Sequence, residues 1–256
     1  MSQYLDVAIA AARQAGAVVR DGYGRAVQIT HKGAIDLVTD TDKRSETVIL
    51  GLLRAAFPGH AIDSEESGQA AGNEFQWLVD PLDGTTNFAH KFPIFSVSIA
   101  LTQNGRLIAG VVYDPIRDEL FTAELGQGAR LNGAALHVSA TAALDAALLS
   151  TGFPYDVRTN PSNNLAEFER FQKSAQGVRR TGSAALDCSW VAAGRLDGFW
   201  ELRLNPWDVG AGALIAREAG GRVTTYSGDE DFLGKASIVT SNGLIHAEML
   251  ALLNGA

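Results

Sequence analysis

The stretch WLVDPLDGTTNFAHKFP, residues 77–93, indicates the fold of this chain more clearly than any other. An apolar run ends at Asp80, Pro81 follows it, and Asp83 lies three residues after Asp80. In α/β folds, catalytic and binding groups collect where buried strands end. Pro81 restricts the backbone so that both carboxylates can turn toward one point, and Gly84 allows backbone N–H groups to approach an anion closely. Oxygen ligands of this kind suit Mg²⁺, which binds one or two carboxylates together with water and phosphate oxygens.

Acidic residues gather in three further places, in the segments DLVTDTD (36–42), DSEES (63–67) and WDVGAG (207–212). Each segment alone also has an ordinary structural explanation. The first acids lie where helix caps belong, the second group lies in a polar loop, and Asp208 lies in a first helical turn whose dipole stabilises a carboxylate. The spacing around Asp80 excludes an EF-hand and does not fit the haloacid-dehalogenase pattern, so an aspartyl-phosphate nucleophile is not indicated.

The apolar pattern predicts a layered mixture of helices and sheets. Apolar residues at steps of three and four predict helices over residues 4–22 and 40–57. From residue 94 the period changes to that of strands, and Asn104-Gly105 predicts a hairpin. Later strands alternate with helices, one of which is predicted to begin at Pro206. We therefore expect an α+β fold in alternating layers, as one domain over residues 1–256.

Composition restricts the classes of partner. The chain has 256 residues, 21 of them basic and 29 acidic, which gives a net charge of −8. No run is dense in lysine and arginine, so we expect no nucleic-acid partner. The single cysteine, Cys188, cannot form an internal disulfide and suits a reducing cytoplasm. The apolar runs are shorter than the ~20 residues that span a bilayer, so we expect a cytoplasmic protein without membrane contact.

The four acidic segments resemble one family when they are taken together. The runs WLVDPLDGTTNFAH (77–90), DLVTDTD, SEES (64–67) and WDVGAGALIAREAGG (207–221) resemble the inositol monophosphatase family of Mg²⁺-dependent, lithium-sensitive phosphatases. The resemblance covers nearly the whole chain, and residues 179–202 are similar to the bacterial inositol-1-monophosphatase branch. It implies the layered α/β/α/β/α sandwich of the inositol monophosphatase and fructose-1,6-bisphosphatase type, with approximate halves 1–140 (metal and phosphate) and 141–256 (substrate), and a homodimer.

The resemblance also implies a site with two to three Mg²⁺ ions. The implied ligands are Glu65, Asp80 and the Leu82 carbonyl for one ion, and Asp80, Asp83 and Asp208 for another. Thr85 and Glu65 are expected to orient the attacking water, while Asp42 supports Thr85. Four carboxylates in one site would repel by about 4 kcal/mol per pair at about 4 Å and an effective dielectric near 20, so they need cations to coexist.

Substrate contacts follow from the same resemblance. The phosphate is expected at Gly84, Thr85 and Thr86, with the metal ligand Asp83 beside it. The polyol hydroxyls are expected to face the Ala184 backbone, Glu201 and Asp208. Lys32 and Arg180 are further candidates. Two positions depart from the family pattern: Gly210 replaces the usual Ala, and Ser64 replaces a frequent Gly.

The predicted activity is that of a Mg²⁺-dependent phosphomonoesterase acting on a small polyol phosphate, with inositol 1-phosphate as the first choice. Glu201 favours a hydroxyl-rich substrate because a carboxylate accepts hydrogen bonds from neighbouring OH groups. The alternatives within this fold are a histidinol-phosphate phosphatase and a fructose-1,6-bisphosphate phosphatase. A non-catalytic binding or regulatory protein that retains the fold is the alternative from another class.

Overall fold

The computed structural model describes residues 2–25 and 37–255, together with the backbone of residues 29–31. These residues form seven α-helices, a short 3₁₀ helix at Leu144–Ala146, and fifteen strands. The helices are α1 Gln3–Gly22, α2 Asp40–Ala56, α3 Thr85–Ala89, α4 Leu165–Ser174, α5 Ala184–Ala192, α6 Pro206–Glu218 and α7 His246–Leu253. The strands are β1 Ile29–His31, β2 Leu37–Thr39, β3 Ala61–Ser64, β4 Gly68–Ala70, β5 Phe75–Asp83, β6 Ser96–Gln103, β7 Arg106–Asp114, β8 Glu119–Glu124, β9 Ala129–Leu131, β10 Ala134–Ala135, β11 Leu148–Thr151, β12 Gly177–Arg179, β13 Gly198–Leu202, β14 Arg222–Thr224 and β15 Ser237–Ser241.

Two large sheets form the framework. The first has eight strands in the order β10-β9-β8-β7-β6-β5-β3-β4, and its β3–β5 pair is parallel. The second has five strands in the order β12-β11-β13-β15-β14, and β11 runs parallel to both of its neighbours. Strands β1 and β2 form a separate antiparallel pair.

The helices lie in three layers around these sheets. Helices α1 and α2 share a core with one face of the eight-stranded sheet, and α5 and α6 occupy the space between the two sheets. Helices α4 and α7 cover the outer face of the five-stranded sheet. Along β5, Trp77 and Val79 face the outer helices whereas Leu78 faces the middle layer. A strand covered on both faces is apolar throughout, and the predicted α/β/α/β/α sandwich is confirmed.

Local sequence signals account for several element ends. The Ser2 side chain caps α1, and a capping box formed by Thr39 and Asp42 begins α2. Asn104 and Gly105 have φ angles of 50° and 79°, as the predicted two-residue hairpin requires. Among the described residues, no helix is long and apolar enough to cross a membrane.

Strand β5 ends later than the sequence predicts. The prediction stopped it at Asp80, but the strand continues to Asp83, which pairs with Ser96 of β6. The register shifts between Asp80 and Asp83. Pro81 has no N–H to donate to the ladder, and a proline in a strand is accommodated at such an irregularity. The two aspartates therefore lie on a bulged strand end rather than in a turn.

Candidate active site

The bulged end of β5 leads directly into α3 through a glycine. The Asp80 carboxylate accepts a hydrogen bond of 3.0 Å from the Leu82 N–H, which orients it within its own strand. Gly84 has a φ of 93°, and a Cβ there would lie 3.0 Å from the carbonyl oxygens of Gly182 and Ile94. Only glycine suits this conformation and this close approach. Thr85 then begins the helix.

The Thr85 hydroxyl joins two helix ends. It lies 3.0 Å from one carboxylate oxygen of Asp42 and 3.0 Å from the Leu82 carbonyl oxygen. The other Asp42 oxygen accepts hydrogen bonds from the Thr39 N–H at 2.9 Å and the Thr39 hydroxyl at 2.5 Å. Burial raises the pKa of Asp42, although these donors oppose the shift. The capping box of α2 thus also holds the first residue of α3.

Asp83 is held by the start of α5. Its carboxylate accepts hydrogen bonds from the Ser183 hydroxyl, from the Ala185 N–H at 2.9 Å and from the Ser96 hydroxyl at 3.4 Å. Burial raises the pKa of Asp83 to about 6, against the effect of these donors. Ser183 was not among the predicted site residues, although its position before a predicted helix was a capping signal. The contact brings Ala184, the first residue of α5, beside the metal-ligand candidates.

Asp208 enters from the first turn of α6. Its carboxylate accepts a hydrogen bond of 2.7 Å from the Asn205 N–H, which completes a capping box. Burial raises the pKa of Asp208 well above its ordinary value, and the negative charges of Asp83 and Glu65 add to the shift. Asp208, on the first turn of α6 in the middle layer, therefore lies near the acids at the end of β5.

The carboxylates of the site influence one another. Burial raises the pKa of Asp80 well above its ordinary value, and the negative charge of Glu65 raises it further. Asp83 and Asp208 act on Asp80 in the same direction. Mutual repulsion of this kind disfavours the charged forms, and a bound cation relieves it.

The same acids do not form a closed cluster. In the described part of the chain, no three histidine, cysteine, aspartate or glutamate side chains lie close enough together to hold a metal ion. Asp80, Asp83 and Asp208 each accept a hydrogen bond from a protein donor instead. Their ligand chemistry still fits a hard divalent cation because every candidate atom is oxygen. The individual ligand assignments stay predictions.

Glu65 lies in a turn that a second glutamate supports. The Glu65 N–H donates to the Val79 carbonyl oxygen of β5 at 3.1 Å. Beside it, the Glu46 carboxylate of α2 accepts from the Ser64 hydroxyl and from the Ser67 N–H, the latter at 3.0 Å. Ser64, which departs from the family pattern, is therefore a buried contact to α2. Glu46 gave no sequence signal, since it is one polar residue within a helix.

The predicted substrate side lies at the end of β13. Glu201 is half-buried there, and burial raises its pKa, with the charges of Asp187 and Asp208 adding to the effect. Arg180 is exposed and its guanidinium lies 5.2 Å from the centre of the Phe153 ring. Thr86 is exposed on α3. Lys32 lies outside the described residues.

The five-layered α+β sandwich and an acidic site of oxygen donors at the end of β5 define the class of protein, and sequence comparison defines the family. Residues 1–255 match the Inositol monophosphatase family, and the chain belongs to that family. It is 47% identical over 252 residues to the "Inositol-1-monophosphatase" of Synechocystis sp., covering 97% of this chain and 88% of that protein. It is 45% identical over 255 residues to the "Nus factor SuhB" of Escherichia coli, covering 98% of this chain and 96% of that protein.

Solved structures agree with this assignment. The extragenic suppressor protein suhB from Bartonella henselae superposes with a TM-score of 0.95 at 41% identity, and the match covers 100% of both chains. The inositol monophosphatase from Anabaena (Nostoc) superposes with a TM-score of 0.89 at 46% identity, covering 98% of this chain and 95% of that one.

Proposed function

We propose that this protein is a Mg²⁺-dependent phosphomonoesterase that hydrolyses myo-inositol 1-phosphate to inositol and phosphate. The observation that supports the proposal is the mutual influence of four acids in a chain of this family. The negative charges of Glu65, Asp83 and Asp208 all raise the pKa of Asp80. Relatives named inositol-1-monophosphatase in Synechocystis and Mesorhizobium japonicum support the choice of substrate.

The acidic residues would hold the metal ions. Glu65, Asp80 and the Leu82 carbonyl oxygen would bind one Mg²⁺, and Asp80, Asp83 and Asp208 a second, with a third ion near Glu65. When bound, Mg²⁺ supplies a water of lowered pKa and neutralises charge on the phosphoryl oxygens. Asp83 would have to exchange its contact with α5, and Asp208 its contact with Asn205, for coordination.

Thr85 and Glu65 would orient the attacking water. A threonine hydroxyl has one proton and two lone pairs. When that proton is donated to Asp42 or to the Leu82 carbonyl, the lone pairs are available to accept a hydrogen bond from water. Asp42 and the Leu82 carbonyl oxygen therefore determine the direction in which the Thr85 hydroxyl can accept. Backbone N–H groups of Gly84, Thr85 and Thr86 would hold the phosphate.

The other end of the substrate would meet α5 and β13. Glu201 and Asp208 would accept hydrogen bonds from polyol hydroxyls, and the Ala184 backbone would lie against the ring. The Arg180 guanidinium is a further candidate for this side. We also expect inhibition by lithium, a homodimer and a cytoplasmic location, as the family resemblance implies.

A substrate panel tests the proposal. The purified protein is assayed with Mg²⁺ on inositol 1-phosphate, histidinol phosphate and fructose 1,6-bisphosphate. We expect inositol 1-phosphate to be preferred, EDTA to abolish activity, and Asp83→Asn to lower kcat at least about 100-fold. Asp145→Asn is the matched control, because Asp145 is exposed and remote from these residues in sequence.

One result would contradict the proposed enzymatic activity, and another would contradict only the proposed substrate. Release of phosphate from none of these or other small monoesters, with no change on Asp83→Asn, would contradict the enzymatic function and favour the non-catalytic alternative. A wide preference for histidinol phosphate or fructose 1,6-bisphosphate would overturn only the inositol assignment.

A second candidate function is that of a Nus factor, favoured by the names of the Escherichia coli and Pseudomonas aeruginosa relatives at 45% identity. Expression of the wild type and of Asp83→Asn in an Escherichia coli strain that lacks its own relative tests it. If neither form restores the growth of that strain, the result counts against a Nus-factor function. If both forms restore it, the Nus-factor function does not depend on phosphate hydrolysis.

A further inference from the structure

Gly152 lies against the carboxylate of Glu201. Strands β11 and β13 are parallel neighbours, with Thr151 paired to Trp200, so that the two residues that follow lie side by side. A Cβ at Gly152 would be 2.1 Å and 2.2 Å from the two carboxylate oxygens of Glu201 and 2.3 Å from its Cδ. The carboxylate thus occupies the space that any side chain at position 152 would need.

The backbone conformation does not require glycine at this position. L-residues rarely adopt the left-handed region, and the φ angle of Gly152 lies outside it. The contact with Glu201 is therefore the feature in the structure that excludes a side chain at Gly152.

Gly152 is held firmly by a buried amide. Nδ2 of Asn164 donates to the Gly152 carbonyl oxygen at 2.7 Å and to the Thr151 hydroxyl oxygen at 2.8 Å. Oδ1 of the same Asn164 accepts from the Trp200 indole N–H at 2.7 Å, and the Thr151 hydroxyl donates to the Trp200 carbonyl oxygen at 2.6 Å. Asn164 and Thr151 are fully buried. The backbone of Gly152 cannot withdraw without breaking this network, so a new Cβ would displace Glu201.

The Glu201 carboxylate is half-buried and receives no hydrogen bond from the described residues. The backbone of Glu201 is paired with β15. Burial and the negative charges of Asp187, Asp208 and Asp83 raise the pKa of Glu201, and the positive charge of Arg180 opposes them. The position of the Glu201 carboxylate therefore depends mainly on the space that the missing side chain of Gly152 leaves for it.

We propose that Gly152 is a specificity-determining positioning residue, which sets the location of the Glu201 carboxylate for hydrogen bonding to polyol hydroxyls. This inference rests on the proposed function. Gly152 contributes no group to the substrate itself. It acts through Glu201 and affects the preference of the enzyme for hydroxyl-rich over simple phosphate esters.

The substitution Gly152→Ala tests this proposal. The atoms that the new Cβ would meet are the far end of a flexible side chain, so the variant is expected to fold while its Glu201 carboxylate is displaced. Loss of one hydrogen bond to a carboxylate corresponds to about a tenfold to hundredfold change. We expect KM for inositol 1-phosphate to rise by that factor, and the ratio of kcat/KM for inositol 1-phosphate over p-nitrophenyl phosphate to fall by at least about tenfold.

A double-variant comparison separates positioning from general damage. Glu201→Ala removes the carboxylate and leaves room for the Cβ, so Gly152→Ala should add less than about twofold in that background. Glu201→Asp, which keeps the charge but withdraws the carboxylate, should lower the same specificity ratio without any change at position 152. Gly177→Ala on β12, which pairs with β11, is the matched control, since its Cβ would meet the end of the Arg179 side chain at 3.3 Å and Cδ1 of Leu148 at an ordinary 3.6 Å. It should leave the ratio unchanged.

Each failure has a separate meaning. If the wild type hydrolyses neither ester, the proposed function is wrong, and this inference falls with it. If the wild type hydrolyses inositol 1-phosphate but Gly152→Ala or Glu201→Asp keeps the full specificity ratio, Gly152 does not have this role. The role is equally excluded if Gly152→Ala has the same effect with and without Glu201.

Discussion

At the scale of single residues, the Thr85 hydroxyl is the most informative group in the site. It can donate to the buried Asp42 or to the Leu82 carbonyl oxygen, and either choice leaves lone pairs for water. We predict that Thr85→Ala lowers kcat for inositol 1-phosphate about 10²–10³-fold, with a much smaller change in KM, because orientation of the water is lost. Steady-state kinetics with saturating Mg²⁺ measure both constants.

The conservative variant distinguishes chemistry from packing. Thr85→Ser retains the hydroxyl and should keep kcat within about tenfold of the wild type. Thr47→Ala is the matched control, because Thr47 is an exposed residue of α2 whose hydroxyl donates to the Lys43 carbonyl oxygen of its own helix. Equal losses in Thr85→Ala and Thr85→Ser would show that the hydroxyl is not the active feature.

At the scale of elements, α6 is one of the two helices packed between the sheets. Its small residues allow close approach: a Cβ at Gly212 would lie 2.6 Å from the Cβ of Cys188 on α5, and one at Gly210 would lie 3.1 Å from the Leu78 side chain of β5. The glycine at 210, where the family usually has alanine, therefore lies in a tight contact with the sheet. The same helix carries Asp208 to the site.

We predict that Gly212→Ala lowers the free energy of unfolding by about 1–3 kcal/mol, because two helix backbones must separate. Gly51→Ala in α2 is the control, since a Cβ there meets no atom of the described residues within 4 Å. It should instead stabilise the protein by about 0.5–1 kcal/mol through helix propensity. Urea unfolding measures both changes, and stabilisation by Gly212→Ala would contradict the close packing of α5 and α6.

At the scale of the whole molecule, a buried histidine couples stability to pH. His246 is fully buried where α7 meets the five-stranded sheet, with one ring nitrogen 2.9 Å from the Thr224 hydroxyl and the other 2.8 Å from the Ser241 hydroxyl. Burial lowers its pKa from 6.5 to about 4, and the positive charge of Arg222 acts in the same direction. The folded protein therefore keeps this imidazole neutral where the unfolded chain protonates it.

We predict that this group destabilises the fold as the pH falls from 6.5 to about 4. The unfolded chain binds the extra proton in that interval, so stability rises with pH and the total effect is at most about 3 kcal/mol. Unfolding free energies at several pH values should show a shallower pH dependence in His246→Gln than in the wild type. His137→Gln is the control because His137 is exposed, and an unchanged slope in His246→Gln would contradict the prediction.

The fold class, the main helices and the acidic segments could be predicted because their signals are local. Apolar periodicity, the Asn104-Gly105 turn and the proline at the start of α6 depend on neighbours in sequence. The continuation of β5 to Asp83 could not be predicted in this way. It depends on pairing with Ser96 across a bulge, which is a property of the assembled sheet.

By itself, the sequence determined the layered α+β class and the identity of the acids, since residue type and short-range spacing are enough for both. Only the tertiary structure decided how these residues are held. Ser183 donates to Asp83 across 100 positions of sequence, Asn164 reaches Trp200 across 36, and Gly152 makes room for Glu201. Such contacts arise when separate layers pack at a specific register, because packing density and buried hydrogen bonds fix which distant groups meet.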